Sequence, residues 1–472
     1  MKRMPIFEHN ATFPFSRQTV WNWHSRPGAV RRIMPDWEGI RPVQVGGITD
    51  GAVTEFRMSI GIVPQRWVAK HHSYIEGEQF CDDSIKGPFA RWNHVHKFVD
   101  GGEQEMTIED KIDWKLPFHF FSRIGAPIMV MPRVRTMFKH RTRRILADLT
   151  RQQVFKDVPR RRILISGSTG LIGTQLGAFL ETDGHDVHRL LRTSTKLHAD
   201  QNPDNIVRWN DQTGEILEGS LEGFDVVIHL AGAGIGDKRW SKKRKNLIAQ
   251  SRSIPTENLS KALAALESPP GVFMCASAVG FYDNRGDEEL DETSSIGDGF
   301  LAKICKQWED ATIPASSAGI RTILMRTGIV TTAAGGMLKQ ILPIAKMGAL
   351  GPIGGGKQWQ SWISLDDQIY AIHHLMNQED AEGVYNLTAP NPVTQKEFAK
   401  TLGKVLRRPA FAPAPGLVMK ILFGEMGKSL ILDGQKVHPK RLLESGYRFE
   451  HETLESALRD ALGRFKSSTR SS

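Results

Sequence analysis

Three glycines spaced three residues apart stand where the chain could hold the phosphates of a dinucleotide. They follow the apolar run Ile163–Ile165 and precede a segment with apolar residues at helical spacing. At such a strand–helix junction one glycine permits the tight turn, one lets the backbone approach a pyrophosphate, and one packs the helix against the strand. The N-terminus of the helix adds free N–H groups and a partial positive charge. We therefore predict a dinucleotide site at Gly167, Ser168, Thr169, Gly170, Leu171, Ile172 and Gly173.

The end of the next predicted strand indicates which dinucleotide this site takes. The strand covers residues 184–191, and proteins that bind NAD place an acidic residue at its end to hold the ribose hydroxyls. This chain has Leu191 and Arg192 instead. A carboxylate repels a 2′-phosphate, whereas a guanidinium pairs with it. The pattern favours NADP over NAD, and the alternative interpretation is a surface arginine at the end of a strand.

Two later segments extend the predicted cofactor site. Asp225–Leu230 is typical of a buried strand, and the small residues Ala231 and Gly232 follow it. Residues of this size let the backbone pass beneath the ribose on the nicotinamide side. A basic stretch that starts at Trp240 ends with Arg252. We assign to this part of the site Leu230, Ala231, Gly232 and Arg252.

The elements that must position these residues alternate between strand and helix patterns. Strands are predicted at 272–277, 320–326 and 383–387, and helices at 254–266, 300–309 and 394–406. Such alternation predicts an α/β fold with a doubly wound parallel sheet, as in Rossmann-like domains. We place this domain at residues 160–392, after a basic linker, and a small C-terminal domain at residues 407–465.

Composition and charge are those of an ordinary globular protein. The 472 residues are 40% hydrophobic and 24% charged, and the basic residues behind the net charge of +10 are scattered. No helix pattern carries a basic face interleaved with aromatic residues, so we expect no nucleic-acid partner. The three cysteines are far apart and form no CxxC pair, which fits a reducing compartment. We find no signal-peptide core and no apolar run long enough for a transmembrane segment, and we expect a cytoplasmic protein.

The first 150 residues follow a different pattern. A strand and a capped helix at 16–23 precede strand-like runs at 51–60, 65–75, 89–99 and 106–114, and a basic amphipathic helix covers 132–151. This order predicts an α+β module, assigned to residues 1–152, whose closing helix crosses a curved sheet. His94 and His96 stand on one face of a strand and form a possible metal pair. Because no motif spacing supplies a third ligand, we interpret them as surface or hydrogen-bonded histidines and predict no metal site.

Parts of this module resemble the START-like (SRPBCC) helix-grip domains, in the group that is fused to relatives of short-chain dehydrogenases. The resemblance lies in Trp23–Ala29, Gly87–His96 and Arg141–Leu149. It implies a helix-grip fold with a pocket for a hydrophobic ligand or lipid. An apolar ligand is therefore the expected partner of this domain.

The rest of the chain resembles the atypical extended short-chain dehydrogenases/reductases, a group of epimerase family proteins also described as cell-division-inhibitor-like. The matching motifs are Gly167–Gly173, His229–Gly232, Ala276–Tyr282, Phe300–Glu309, Arg326–Val330 and Gly354–Ile363. The resemblance implies an NADP-dependent oxidoreductase or epimerase that acts on a small molecule, which the sequence does not identify. It assigns residues 407–465 to the small C-terminal domain of the family. It also implies that Ser277 is the serine that holds the substrate oxygen in these enzymes.

The usual proton donor of such enzymes is missing from this chain. They carry a tyrosine and, four residues later on the same helix, a lysine that lowers the pKa of the tyrosine for proton transfer. The predicted helix has Leu301 and Cys305 at those positions, and none of the five tyrosines has a lysine four residues on. Three explanations stay open: Tyr282, Asp283 or Lys303 substitutes, the reaction needs no such acid, or the domain binds a dinucleotide without turning it over. The chain is accordingly either an enzyme or a non-catalytic, dinucleotide-responsive regulator.

Overall fold

The computed structural model describes residues 6–60, 63–116, 119–195, 203–217 and 219–466, with side chains except at Ile60 and residues 119–129. Contacts within the chain divide it into two compact units, and their main boundary lies between Val158 and Pro159. Gly177–His185, which includes the second half of a helix that begins in the second unit, is grouped with the first unit. Among the residues described, no helix combines the length and the hydropathy that crossing a lipid bilayer requires.

The first unit consists of a seven-stranded antiparallel sheet and three helices. In chain order its elements are β1 (Ile6–Phe13), α1 (Arg17–Ser25), α2 (Ala29–Ile33), β2 (Arg41–Gln44), β3 (Val53–Ile60), β4 (Val63–Ile75), β5 (Gln79–Lys86), β6 (Arg91–Gly102), β7 (Glu105–Lys115) and α3 (His119–Gln153). The strand order is β1-β7-β6-β5-β4-β3-β2, so β2 to β7 form a meander and β1 pairs with β7. The predicted succession of strand, short helix, meander and long closing helix is present.

Two strands of this sheet, β2 and β5, are missing from the sequence-based prediction. In β5 two adjacent buried residues, Phe80 and Cys81, precede the adjacent Asp82 and Asp83. The apolar and polar positions therefore do not alternate with period two, which is the signal that predicts a half-buried strand. Pairing with β4 and β6 on both sides makes this segment a strand in spite of its pattern.

Helix α3 packs against one face of the antiparallel sheet through two apolar clusters. Ile145 packs in a cluster that includes Trp23 and Phe80. Phe138 packs in a second cluster with Trp92. Each large apolar side chain removed from water contributes about 1.5–3 kcal/mol, so these clusters hold the helix to the sheet.

The second unit contains a seven-stranded sheet with helices along the chain between its strands. Its first elements are β8 (Arg162–Ser166), α4 (Leu171–Asp183), β9 (Asp186–Arg192), β10 (Ile206–Trp209), β11 (Val226–His229), α5 (Lys242–Ala264), β12 (Val272–Ala278), β13 (Glu289–Leu290), α6 (Phe300–Asp310), α7 (Ile313–Ser317) and β14 (Arg321–Thr327). The next are β15 (Ile329–Thr331), α8 (Gly336–Lys346), β16 (Trp359–Gln360), β17 (Trp362–Ser364), α9 (Leu365–Asn377), β18 (Gly383–Leu387), β19 (Val393–Thr394) and α10 (Gln395–Leu406). The last are α11 (Gly416–Phe423), α12 (Glu425–Gly427), β20 (Lys436–Val437), α13 (Lys440–Glu444) and α14 (Leu454–Ala461).

The topology of the large sheet places a crevice beside its central strand. The strand order is β10-β9-β8-β11-β12-β14-β18, and each of these neighbouring pairs is parallel. The order of the strands reverses at β8, which lies between β9 and β11. In open α/β sheets, ligands bind at such a switch point, beyond the carboxyl ends of the strands. The predicted α/β, Rossmann-like parallel sheet is confirmed.

The sequence pattern predicts the start of helix α10 correctly and that of helix α5 wrongly. Helix α10 begins with the predicted capping box, in which the side chains of Thr394 and Glu397 each bond the backbone of the other. Helix α5 begins at Lys242, and the predicted start at Ile254 is wrong. Ser241 caps the helix by accepting a hydrogen bond from the Arg244 N–H. The basic run after this cap has no apolar periodicity, so the first turns of α5 resemble a solvated loop in the sequence.

Candidate cofactor and active site

The glycine turn between β8 and α4 is closely packed on its inner side. Gly167 has a φ of +69°, a conformation that favours glycine. A Cβ on Gly167 would lie 2.8 Å from the carbonyl carbon of Leu230, and a Cβ on Gly173 would lie 2.4 Å from the oxygen of Gly167. Neither position has room for a side chain. The glycines therefore let the end of β11, the turn and helix α4 approach one another, as the motif predicts.

The outer side of the same turn offers polar groups at the N-terminus of α4. The Ser168 hydroxyl is buried and has no hydrogen-bond partner among the described residues. Thr169 and Gly170 are exposed, and Leu171 and Ile172 are half-buried. An orphaned hydroxyl costs about 1–3 kcal/mol in a folded protein. A phosphate oxygen at the helix N-terminus would accept its hydrogen bond, which is an argument for an anion at this turn.

The residues predicted to select the dinucleotide lie at the carboxyl end of β9. The side chain of Leu191 is buried in the core, with 4% of its surface exposed. Arg192 is exposed, and its guanidinium makes no ion pair or hydrogen bond with another described residue. A free guanidinium at this end of the sheet is available to an anionic group of a ligand.

The small residues after β11 are packed beside Arg252 of α5. A Cβ on Gly232 would lie 3.3 Å from the guanidinium carbon of Arg252. That guanidinium lies 4.9 Å from the centroid of the Trp308 ring and donates to the carbonyl oxygen of Ile248 over 3.1 Å. Burial lowers the pKa of Arg252. The structure therefore brings together residues 230–232 and Arg252, which the sequence analysis assigns to one site.

Ser277 of β12 is tied to a buried ion pair. Its side chain is 3% exposed, and its hydroxyl donates to Oε1 of Glu309 over 2.6 Å. Arg326 donates from Nε and from Nη2 to the two oxygens of the same carboxylate, each over 2.8 Å. Because the proton of Ser277 goes to Glu309, its oxygen is left to accept a hydrogen bond, which suits a hydroxyl group of a substrate.

Tyr282 continues this network away from Ser277. Arg326 Nη1 donates to the phenol oxygen over 3.0 Å, and the phenol donates to Oδ1 of Asn386 over 2.8 Å. Burial raises the pKa of Tyr282 to about 12. The phenol keeps its proton at neutral pH and links β14 to β18, which is a structural use of the residue.

The face of α6 that should carry the tyrosine–lysine pair lies against the segment after β12. A Cβ on Gly280 would lie 3.3 Å from Cβ of Leu301 and 3.9 Å from Sγ of Cys305. Burial raises the pKa of the Cys305 thiol to about 12. Leu301 and Cys305 thus occupy the place of the pair without a group that exchanges a proton near neutral pH. Lys303 is exposed, and Asp283 is half-buried with a φ of +56°.

The ion pair between Glu309 and Arg326 is the part of this site that the sequence analysis does not identify. Each is a charged residue at a position whose buried neighbours on the same element are mostly apolar. Arg326 lies in the buried strand β14, and Glu309 lies on the buried face of α6, four residues after Cys305. Charges at such positions are rarely buried without a partner. That rule is the signal by which the pair could have been found.

Two family patterns match this chain. The NAD dependent epimerase/dehydratase family matches residues 163–388, a range that contains the glycine turn, Arg192, Arg252 and Ser277. A domain of unknown function matches residues 414–461.

Individual relatives resemble the chain over most of their own lengths. An epimerase family protein of Mycobacterium bovis is 39% identical over 300 residues, which are 63% of this chain and 96% of that protein. A nucleoside-diphosphate sugar epimerase from Corynebacterium glutamicum has a crystal structure with a TM-score of 0.79 and 30% identity, covering 98% of this chain and 91% of that one. A crystal structure of a human epimerase family protein with NADPH has a TM-score of 0.58 and 31% identity, covering 64% of this chain and 99% of that one.

Proposed function

The chain belongs to the NAD dependent epimerase/dehydratase family, and from that premise we propose that it binds NADP and acts on a small molecule as an atypical short-chain oxidoreductase or epimerase. Its second unit is a Rossmann-like, NAD(P)-binding domain of this family. The observation that carries the proposal is the glycine turn at residues 167–173. There, backbone N–H groups and the Ser168 hydroxyl, which has no partner among the described residues, meet at the N-terminus of a helix.

The choice of NADP within this proposal rests on Arg192. An exposed guanidinium at the end of β9 pairs with a 2′-phosphate, whereas the carboxylate typical of NAD sites repels it. The human relative, whose structure contains NADPH, supports the same choice. Arg252, beside Gly232 in the segment after β11, adds a second cation to the proposed site.

The chemistry of the site follows from which protons its residues can move. When bound, the nicotinamide ring would supply or accept a hydride, which both oxidoreduction and epimerisation use. Ser277 would accept a hydrogen bond from a substrate hydroxyl because its own proton is held by Glu309. Arg326 holds the Glu309 carboxylate in place by donating two hydrogen bonds to it. Neither Tyr282 nor Cys305 releases a proton at neutral pH, so the group that exchanges the proton in the proposed reaction is Asp283, Lys303 or water.

Titration of the purified chain with NADPH and with NADH tests the cofactor. We expect NADPH to bind more tightly, and Arg192→Asp to weaken NADPH at least tenfold while changing NADH little, because only NADPH carries the 2′-phosphate. Lys261→Asp is the matched control, since Lys261 is exposed on α5 and pairs only with Glu257 in the described structure. If neither nucleotide binds, the enzyme proposal fails.

A non-catalytic, dinucleotide-responsive regulator is the second candidate function. The observation in its favour is the apolar Leu301 and the buried, protonated Cys305 at the positions of the usual tyrosine–lysine pair. Stopped-flow mixing of the NADPH complex with aldehydes and ketones, and of the NADP⁺ complex with nucleotide sugars, distinguishes the two functions. Oxidation of the bound nicotinamide, or isomerisation of one sugar, supports the enzyme. Tight NADPH binding without either reaction supports the regulator.

For the first unit we propose a START-like domain that binds an apolar ligand. The support is the succession of strand, two helices, meander and closing helix, together with the packing of α3 across the sheet. A fluorescent fatty-acid analogue titrated into the full chain should bind saturably. Met131→Trp, which enlarges a side chain packed against the apolar cluster of α3, should weaken this binding, whereas Arg135→Trp, at an exposed position, should not. Binding unaffected by either change, or no binding, contradicts the proposal.

A further inference from the structure

Three neighbouring strands of the first unit place four polar side chains on one buried face of the sheet. The register pairs Asp82 of β5 with His94 of β6, and His96 of β6 with Asp110 of β7. Side chains two residues apart on a strand share a face, and so do directly opposite residues. His94, His96 and Asp110 are buried, and the side chain of Asp82 is 14% exposed. We refer to these residues as the histidine–aspartate cluster.

Each histidine of this cluster directs one ring nitrogen at each aspartate. His94 Nδ1 and His96 Nε2 both lie 3.4 Å from Oδ2 of Asp82. Their other nitrogens, His94 Nε2 and His96 Nδ1, lie 3.2 and 2.7 Å from Oδ1 of Asp110. Arg141 of α3 also forms an ion pair with Asp110, with an N–O separation of 2.9 Å. Asp110 is therefore held as an anion by groups on two sides.

The two histidines have too few N–H groups to donate a hydrogen bond in each of these four nitrogen–oxygen contacts. A neutral imidazole has one N–H, so two neutral rings provide two donors and one charged ring with one neutral ring provides three. Four donors require two imidazolium ions, whose ring centroids would be 3.7 Å apart. Two buried cations at that distance repel each other, and Arg141 adds a third positive charge. When both rings are neutral and Asp110 takes one N–H from each, two nitrogen lone pairs are left facing the carboxylate of Asp82, and when one ring is charged, one lone pair is left facing it.

We propose that Asp82, His94 and His96 bind a divalent transition-metal ion, Zn²⁺ by their geometry, between the two ring nitrogens and the carboxylate. Bonds of about 2.0–2.1 Å at tetrahedral angles place neighbouring zinc ligands about 3.3–3.4 Å apart. The two nitrogen–oxygen separations at Asp82 are 3.4 Å, and all three ligand atoms lie within 4.8 Å of one another. Two histidines and one carboxylate are also a common ligand set of zinc sites that keep an open position.

Asp110 accepts hydrogen bonds from the ring nitrogens of His94 and His96 that do not face the proposed metal ion. A metal-bound histidine usually donates its second N–H to a carboxylate, which fixes the ring tautomer and increases the basicity of the ligand nitrogen. Here one carboxylate oxygen receives the N–H of both histidines, and Arg141 balances its charge. The apparent mismatch of protons in the cluster therefore disappears once a cation lies at Asp82.

The surroundings of the site suit an ion that binds a further ligand. The Phe80 ring stacks on His96 with centroids 4.3 Å apart, and the Phe138 ring lies 5.7 Å from His94. Three protein ligands leave one tetrahedral position for water or for an oxygen atom of a bound molecule. Apolar walls increase the ability of a metal ion to polarise that oxygen. The first unit would thus recognise an oxygen-bearing group on its ligand as well as an apolar one.

Direct metal binding to the full chain, freed of any affinity tag and treated with a chelator, tests the site. We expect calorimetry to give one Zn²⁺ per chain and Co²⁺ to give the intense visible bands of a tetrahedral complex. We expect Asp82→Asn and His96→Gln to weaken Zn²⁺ at least tenfold, because each removes one ligand. Zn²⁺ should also raise the melting temperature of the unaltered chain, which the two variants should not show.

Asp83→Asn is the matched control, because Asp83 is the next residue of β5 and contacts Asn93 and His72 instead of the cluster. This variant should bind Zn²⁺ as the unaltered chain does. The proposal fails if the unaltered chain binds no Zn²⁺ at micromolar concentrations, or if Asp82→Asn and Asp83→Asn bind it equally. If the cluster variants do not fold, the Co²⁺ spectrum of the unaltered chain decides: bands of a tetrahedral complex support the site, and a spectrum of octahedral Co²⁺ overturns it.

Discussion

Two of the buried polar clusters in the described part of the chain differ in whether their hydrogen bonds are complete. In the second unit, Glu309 accepts one hydrogen bond from Ser277 and two from Arg326, and every contact has a proton. In the first unit, His94 and His96 share four contacts with two aspartates and lack the protons to complete them. The comparison teaches that a buried carboxylate with matching donors supports the fold, whereas one facing lone pairs marks a place for a cation.

Breaking the cluster of Ser277, Glu309 and Arg326, whose hydrogen bonds are complete, should have the largest effect on the free energy of unfolding. Arg326→Met leaves the carboxylate of Glu309 buried with Ser277 as its one donor, and loss of one partner of a buried ion pair costs about 3–5 kcal/mol. Urea denaturation should show a fall of that size in the free energy of unfolding. In the chelator-treated chain, Asp82→Asn should change the same quantity by less than about 1 kcal/mol, because an amide N–H can donate to a histidine lone pair.

The double variant Arg326→Met, Glu309→Leu serves as the control for this prediction. Replacing both charges by apolar side chains of similar size removes the unpaired carboxylate, so most of the lost stability should return. An Arg326→Met variant as stable as the unaltered chain, or an Asp82→Asn variant as damaged as Arg326→Met, would contradict the contrast between the two clusters.

A second prediction concerns the free energy of unfolding at acidic pH. A buried histidine in each unit should lower it as the pH falls. His229 of β11 is buried, and its ring shares a 2.6 Å hydrogen bond with the Ser166 hydroxyl. Burial lowers the pKa of His229 from 6.5 to about 4. The unfolded chain takes up a proton below pH 6.5 that the folded chain refuses until about pH 4. The contribution of His229 to stability is therefore fully present above pH 6.5 and is lost as the pH falls towards 4, by about 2 kcal/mol at pH 5.

Urea denaturation at pH 7 and pH 5 measures this loss, and His229→Asn should make it about 2 kcal/mol smaller. His24 in the first unit provides the matching case, since burial lowers its pKa to about 3 and His24→Asn should remove a similar loss. An identical pH dependence in the unaltered chain and in both variants would show that neither histidine enters the folded state neutral.

The two clusters also differ in how far the sequence reveals them. The glycine turn at residues 167–173 is contiguous, and each of its requirements can be checked within about thirty residues of the chain. In the histidine–aspartate cluster, the pair at 94 and 96 is visible as a period-two pattern, but its third ligand, Asp82, is not. Asp82 comes from β5, whose pattern does not predict a strand, and only the register between β5 and β6 places it opposite His94. Information that lies in strand register cannot be read from spacing along the chain.

The smallest expected effect is that of Ser277→Ala. It distinguishes a structural role of Ser277 in the ion-pair network from contact with the substrate. Removing its hydroxyl by Ser277→Ala takes one of three hydrogen bonds from Glu309 and should lower the free energy of unfolding by about 0.5–1.5 kcal/mol. A serine that only completes the ion-pair network predicts this loss with NADPH affinity and turnover unchanged. A serine that accepts a substrate hydroxyl predicts the same loss together with a higher KM, because the substrate donor is left without an acceptor. Thr at this position keeps the hydroxyl and should restore the KM, so Ser277→Thr measured beside Ser277→Ala separates support of the scaffold from contact with the substrate.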